Sequence, residues 1–360
     1  MRTLPLLFLA ASAGVCQVVS PIAVAPVPPD PLELVTGPTQ VPASPAERGA
    51  LVQLLLNATE KYAMHERGGP AHVLQISFNA TASTRYQGGA GQLRETWING
   101  QNLRWDGALG SYTLLRISSN TAIYDQNPNS AIPLRFKMLA SSIFNPIEAA
   151  PRRATLRSAT VLWKGAQITC IMTSSEGSAQ IGAQGRQWYE KEFCIDPATG
   201  LLDIASLAPG VYTVYDYSNA LQFHGHVLPG KVTICENGAT VVDAQLTGIA
   251  DIDSKDTSPF TPTAQMVAQG AATALGQPER FALPGGGTPA LGSMIQPAIV
   301  HVTLDTQGKV IESEVLQTSS VSAAALDLVN GSQFGVMKTA SGAAPVEREA
   351  YINVRFQPHQ

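Results

Sequence analysis

The chain has 360 residues, 44% of them hydrophobic and only 14% charged, with a formal net charge of -4. That length exceeds what one ordinary core fills, so two folded units are expected, and the composition excludes a disordered chain. With no Lys/Arg cluster, nothing is available to track phosphates, which excludes nucleic acid as the main partner.

Residues 1–25 read as a signal peptide or N-terminal anchor. Met1-Arg2 gives a positive start, Leu4 to Val15 an apolar run too short to span a bilayer comfortably, and Ala11-Ser12-Ala13 a cleavage candidate. Cys16 offers a second reading as a lipid-bearing residue, although Val15 before it is bulkier than such sites favour. Either way the chain is expected in the periplasm, with membrane association through the N-terminus if the segment is kept or lipidated. Residues 26–43 are Pro-rich and aperiodic, an extended tether.

Residues 44–253 form the first expected domain. Ser44-Pro45-Ala46-Glu47 is a capping box with Pro at the first helical position. It opens a helix to about Arg67 with Leu51, Leu55, Ala58 and Tyr62 on one stripe. From His72 the pattern turns to strands at Val73 to Ala82, Gln92 to Ile98, Asn102 to Asp106, Tyr112 to Ile117 and Thr121 to Tyr124. An internal helix is expected over Ile132 to Phe144. Strands resume at Thr155 to Trp163, Ala166 to Met172, Gln187 to Ile195, Leu201 to Ala205, Tyr212 to Tyr217, Leu221 to Val227, Lys231 to Cys235 and Thr240 to Ile249. Export permits disulfides, and Cys170 and Cys194 end two of these strands, so a hairpin joins them and they are expected to pair. Cys235 is left over as a small buried hydrophobe.

A meander of antiparallel strands with one leading and one inserted helix implies a curved sheet wrapped partly around helices. This layout has Trp97 in one strand, Arg104-Trp105-Asp106 in the next and Asp125 after the fourth. Cys194-Ile195-Asp196-Pro197-Ala198-Thr199-Gly200-Leu201-Leu202 comes late in it. It is similar to periplasmic lipoprotein carriers of the LolA/LolB type, a half-barrel whose concave face holds acyl chains. That resemblance makes Trp97, Trp105 and Trp163 candidates for lining a ligand cavity. The plainer reading, aromatic core residues, outweighs it, also for Trp188.

Residues 254–292 read as a linker on their Ser-Pro, Thr-Pro and Gly285-Gly286-Gly287, with a thin Ala-rich helix candidate at Thr263 to Leu275. In residues 293–360, Val300, Val302 and Leu304 alternate with His301 and Thr303 as in a half-buried strand. Asp305-Thr306-Gln307-Gly308 turns the chain, Lys309 to Leu316 returns, and a helix with Val321, Ala325, Leu328 and Val329 inward follows. A closing strand has Ile352, Val354 and Phe356 on one face and Tyr351, Asn353 and Arg355 on the other. The run Ile299 to Val310, Val315-Leu316, Ala323-Ala324-Ala325-Leu326-Asp327 and Ile352-Asn353-Val354-Arg355-Phe356 resembles a TonB C-terminal domain. It departs from that family in lacking an upstream Tyr-Pro and in having Phe334 where Trp is usual. The fold class expected overall is α+β: an N-terminal antiparallel half-barrel with helices and a small C-terminal ββαβ unit.

The TonB-like resemblance implies a protein partner, an outer-membrane TonB-dependent transporter, received by strand addition along Tyr351, Ile352, Asn353, Val354, Arg355 and Phe356. The carrier resemblance implies instead a lipid or acyl ligand. No catalytic constellation stands out, since Gly-x-Ser-x-Gly elbows and phosphate loops are missing, and no enzyme activity or cofactor is expected. His224 and His226, two apart on an expected strand, lack a third ligand at a telling spacing. Asp251, Asp253 and Asp256 resemble half a calcium loop without its Gly and closing Glu, so no metal site is expected.

Overall fold

The computed structural model describes residues 30–65, 69–83, 85, 87–119, 122–126, 132–147, 154–175, 184–269, 279–288, 296–317, 319–335 and 348–358. The expected signal segment, and the tether before residue 30, lie outside them. From residue 30 the tether is docked rather than free. Val35 is buried, and bridges join Pro38 to Gln184 and Gln40 to Ser158 along the sheet.

Helix α1 (Pro45–Tyr62) starts as its sequence dictates, with the Glu47 amide donating to Ser44 Oγ at 3.2 Å and the Ala43 amide to Glu47 Oε2 at 2.7 Å. It buries Leu55, Ala58 and Tyr62 but stops five residues before Arg67, because the chain leaves the helix at Ala63 and His65 turns inward to Glu95.

One curved, open sheet of 13 strands follows, in the order β15-β5-β4-β3-β2-β1-β14-β13-β10-β9-β8-β7-β6. Its strands are β1 (His72–Ala80), β2 (Gly89–Asn99), β3 (Asn102–Leu109), β4 (Tyr112–Ser119), β5 (Ala122–Asp125), β6 (Thr155–Trp163) and β7 (Ala166–Ser174). They continue with β8 (Lys191–Ile195), β9 (Leu202–Ala208), β10 (Val211–Asp216), β13 (Lys231–Glu236), β14 (Ala239–Asp251) and β15 (Val267–Gln269). A separate hairpin joins β11 (Leu221–Phe223) to β12 (His226–Leu228).

Three expectations are corrected here. Leu221 to Val227 is that hairpin and not one strand, because His224, at φ 47, and Gly225, at φ 88, turn the chain left-handed. The strand expected from Gln187 begins only at Lys191: the Glu190 carboxylate accepts from the Gln187 amide, which holds residues 187–190, Trp188 among them, in a turn. The helix expected over Thr263 to Leu275 contains strand β15, paired with β5, and its residues from 270 on lie outside those described.

Helix α2 (Leu134–Phe144) lies in the connection from β5, next to one edge of the sheet, to β6 at the other. A curved sheet leaves its concave side to be filled, and α2 fills it. Eight of its 11 residues are buried, and Leu134, Phe136, Met138, Leu139, Ile143 and Phe144 join Leu74, Ile76, Phe78, Leu93 and Trp105 of the sheet in one cluster. Gly107 of β3 admits the Phe136 ring, since a Cβ there would stand 2.5 Å from Phe136 Cζ. The expected pairing of Cys170 with Cys194 is present: they face each other across β7 and β8 and are bonded.

The tail forms a four-stranded sheet, ordered β16-β19-β17-β18, from β16 (Glu279–Thr288), β17 (Gln296–Leu304), β18 (Val310–Val315) and β19 (Arg348–Pro358), with α3 (Ser322–Asn330) on one face. Strand β16 lies within the stretch expected to be linker. The Gly-rich run serves close approach there: a Cβ at Gly285 would stand 2.7 Å from Phe356 Cδ1. His301 and Thr303, expected on an open face, are as buried as Val300 and Val302, because that face of the tail sheet is covered by the N-terminal unit.

Candidate functional site

Alternation along β1, β2 and β3 turns His72, Glu95, Trp97 and Trp105 toward the concave side. Residues β-paired across those strands converge there: His72 stands opposite Trp97, and Glu95 opposite Trp105. The Glu95 carboxylate is wholly buried and meets three side chains. His65 Nε2 is 2.7 Å from its Oε1, His72 Nε2 is 3.3 Å from the same oxygen, and Trp105 Nε1 donates to Oε2 at 2.6 Å. The His72 Nδ1–H donates to the Pro70 carbonyl at 2.9 Å, which turns Nε2 toward Glu95.

Burial alone would push the Glu95 carboxyl up. The charge of His65 and the hydrogen bonds from His65, His72 and Trp105 outweigh it and hold the group below its ordinary value. Aromatic rings close over the cluster, His65 lying flat between Trp97 at 5.5 Å and Phe144 of α2 at 5.0 Å. His65 also lines a pocket of about 170 Å³ with Thr59, Tyr62, Ala63, Phe144, Asn145 and Ile147. It is the side chain that connects buried Glu95 to the space between the ends of α1 and α2.

A second polar cluster holds α2 against the tail. Arg135 of α2 bonds to Glu236 at the end of β13, and its Nη2 reaches the two oxygens of Glu314 on β18 at 2.8 and 2.6 Å. Glu236 Oε1 stands 2.6 Å from His301 Nδ1, His301 Nε2 lies 3.4 Å from Glu349, and Lys137 of α2 lies 3.6 Å from the same Glu349. Burial pulls the His301 imidazole down, but the Glu236 carboxylate and then Glu349 overcome this and push it up to about 10. Burial, with Glu236 close by, pushes Glu314 up to about 7 against the pull of Arg135. The two units share a core as well, since Ile299, Leu316 and Tyr351 of the tail join the cluster that holds α2.

The residues singled out in the sequence sort differently from their expected roles. Trp97, stacked on His65 and His72, and Trp105 stand at the concave cluster, but Trp163 sits on β6 at the far edge of the sheet, packed with Val35 and Cys170, so the three do not share a cavity. Tyr351, Ile352, Asn353, Val354 and Phe356 are buried, and only Arg355 is exposed. Their strand is paired antiparallel with β17 on one side and parallel with β16 on the other. The margin expected to receive a partner strand is therefore taken by the chain's own β16, and the polar face beside it lies against the N-terminal unit.

His224 is 2.6 Å from Asp251 on an exposed turn, and His226 Nδ1 donates to the Glu60 carbonyl, so the two do not converge. Asp253 and Asp256 accept backbone amides in local turns. Missed in the sequence were His65, His72 and Glu95. His72 and Glu95 stand on adjacent strands, but pairing them needed a register, and His65 read as helix.

No family model matches the chain, and no curated relative does. Among solved structures, a LolA superfamily protein from Nitrosomonas europaea aligns at 9% identity and a TM-score of 0.37, over 58% of this chain and 96% of that one. A putative outer membrane lipoprotein-sorting protein domain from Vibrio parahaemolyticus aligns at 10% identity and 0.35, over 57% and 95%. MucB aligns at 11% and 0.26, over 62% and 66%. Among the described residues, no helix is long and apolar enough to cross a membrane.

Proposed function

We propose that this is an exported, non-enzymatic protein of the cell envelope that holds an apolar, acyl-type ligand between the concave face of its sheet and α2, as the LolA/LolB-like reading of its residues implies. The observation that supports it is α2 itself. It crosses the open side of a 13-stranded sheet with eight of its 11 residues buried, occupying the space a ligand chain would take. Its N-terminus at Pro133 has no side-chain cap, so little local structure holds it there. What holds it is packing and the clasp of Arg135 and Lys137 onto the tail.

On this reading the tail, although its residues resemble a TonB C-terminal domain, acts as the clasp on α2 and not as an acceptor of a foreign strand at residues 351–356. Displacing α2 would uncover Phe78, Leu93, Trp105 and Leu114, a surface matched to an acyl chain. The test is titration of the purified chain with a fluorescent fatty-acid probe, with native mass spectrometry of the untreated protein. Saturable binding, faster in Arg135→Met, is expected. A chain that carries no lipid and takes up no probe, with or without the substitution, would end the proposal.

A further inference from the structure

The geometry points to a divalent transition-metal site on the concave face, formed by His65 Nε2, His72 Nε2 and Glu95 Oε1. All three donor atoms lie within 4.8 Å of one another. Donors at 2.0–2.1 Å around a four-coordinate ion stand about 3.4 Å apart, close to the 3.3 Å from His72 to Glu95. The 2.7 Å from His65 to Glu95 has to widen by about 0.7 Å to reach that donor spacing, which His65, the one member with side-chain exposure, is placed to allow. Two imidazoles and one carboxylate form a donor set suited to zinc, copper or nickel.

The support around the donors is of the kind such ligands need. The second ring nitrogen of His72 donates to the Pro70 carbonyl, which leaves Nε2 for the ion. Trp105 takes Glu95 Oε2 and leaves Oε1 facing both histidines. These two hydrogen bonds orient the ligands independently of the bond between His65 and Glu95. A fourth ligand, water or an anion, has a route through the pocket that His65 lines. On the same pocket wall the buried Tyr62 hydroxyl has no hydrogen-bond partner among the described residues. Among the described residues the other group of convergent donors, Cys170, Glu192 and Cys194, is closed by its disulfide.

The site does not depend on the acyl-ligand reading and is tested without lipid. The full chain, treated with chelator, is dialysed against zinc chloride alone. One ion per chain is expected, with binding weaker by more than tenfold in His65→Ala and by roughly 10- to 100-fold in Trp105→Phe, which removes only an orienting hydrogen bond. His224→Ala, at the exposed turn, leaves binding unchanged. Because His65→Ala could disturb the fold, the unaltered protein is also modified with diethylpyrocarbonate and its peptides weighed: zinc protects His65 and not His224 or His226. Failure to bind one ion per chain, equal binding in His65→Ala, or protection at His224 and His226 instead overturns the assignment.

Discussion

Replacing Arg135 by Met keeps the apolar stem of the side chain on α2 while removing the guanidinium whose charge joins three elements. Arg135 is 4% exposed, and the groups around it balance: Arg135, Lys137 and protonated His301 against Glu236, Glu314 and Glu349. Without Arg135 one carboxylate in a largely buried cluster has no counter-charge. Breaking a buried pair from one side costs about 3–5 kcal/mol, far more than the pair contributes over an apolar replacement. At a urea slope of ~3 kcal/mol/M, that lowers the unfolding midpoint by about 1–1.7 M. The assay is urea unfolding followed by tryptophan fluorescence, with limited proteolysis to find whether the tail releases first. Arg135→Met with Glu314→Gln restores at least half of the loss, because Glu236 keeps His301 as its partner. A loss under about 1 kcal/mol in the single variant, or no recovery in the double one, would refute the view that this cluster clasps α2.

His301 has its folded value raised to about 10 from an ordinary 6.5, so its contribution is complete below pH 6.5 and is lost as pH rises toward 10. Glu314, raised to about 7 from 4.5, adds a loss with rising pH between those values. Between about pH 4.5 and 10 these two groups therefore make stability fall as pH rises in unfolding curves, and His301→Asn flattens the upper part; an unchanged slope there would contradict the assignment. Removing the disulfide with Cys170→Ala and Cys194→Ala, at a sequence separation of 24, costs roughly 3 kcal/mol in the chain-entropy model, read as a urea midpoint shift. A shift worth less than about 1 kcal/mol would mean that the strand register already constrains that loop. Gly107→Ala drives a Cβ into Phe136 and costs about 1–3 kcal/mol, recovered by Phe136→Leu; equal stability of Gly107→Ala and the parent would mean that α2 does not rest on β3.

Much of the secondary structure was legible because its signals are local. The capping box at Ser44, the alternation through β1 and the apolar residues of α2 each state their conformation within a dozen residues. What escaped are contacts between residues far apart in the chain. Gly285-Gly286-Gly287 carries the composition of a linker, yet Gly285 lets β16 lie against Phe356, some 70 residues on. His224-Gly225 reads as the middle of a strand until its positive φ values are seen.

The concave cluster and the clasp share one physical origin, and it explains why alternation misled in both. On β17 and β19 the alternating polar residues implied a wet face, yet His301, Tyr351 and Asn353 are each 2% exposed or less. On β1 and β2 the apolar-facing positions carry His72 and Glu95, which a strict pattern would assign to solvent. Period-two reading separates two faces of a strand but does not reveal what lies above either one. A polar side chain is stable in a core once its hydrogen bonds are met from elements elsewhere in the sequence, here Pro70 and His65 for one cluster, Glu236 and Arg135 for the other. Titratable residues at strand positions that a neighbouring layer covers are therefore where ligand and clasp chemistry should be sought in this chain, because there each charge must be answered by a specific partner.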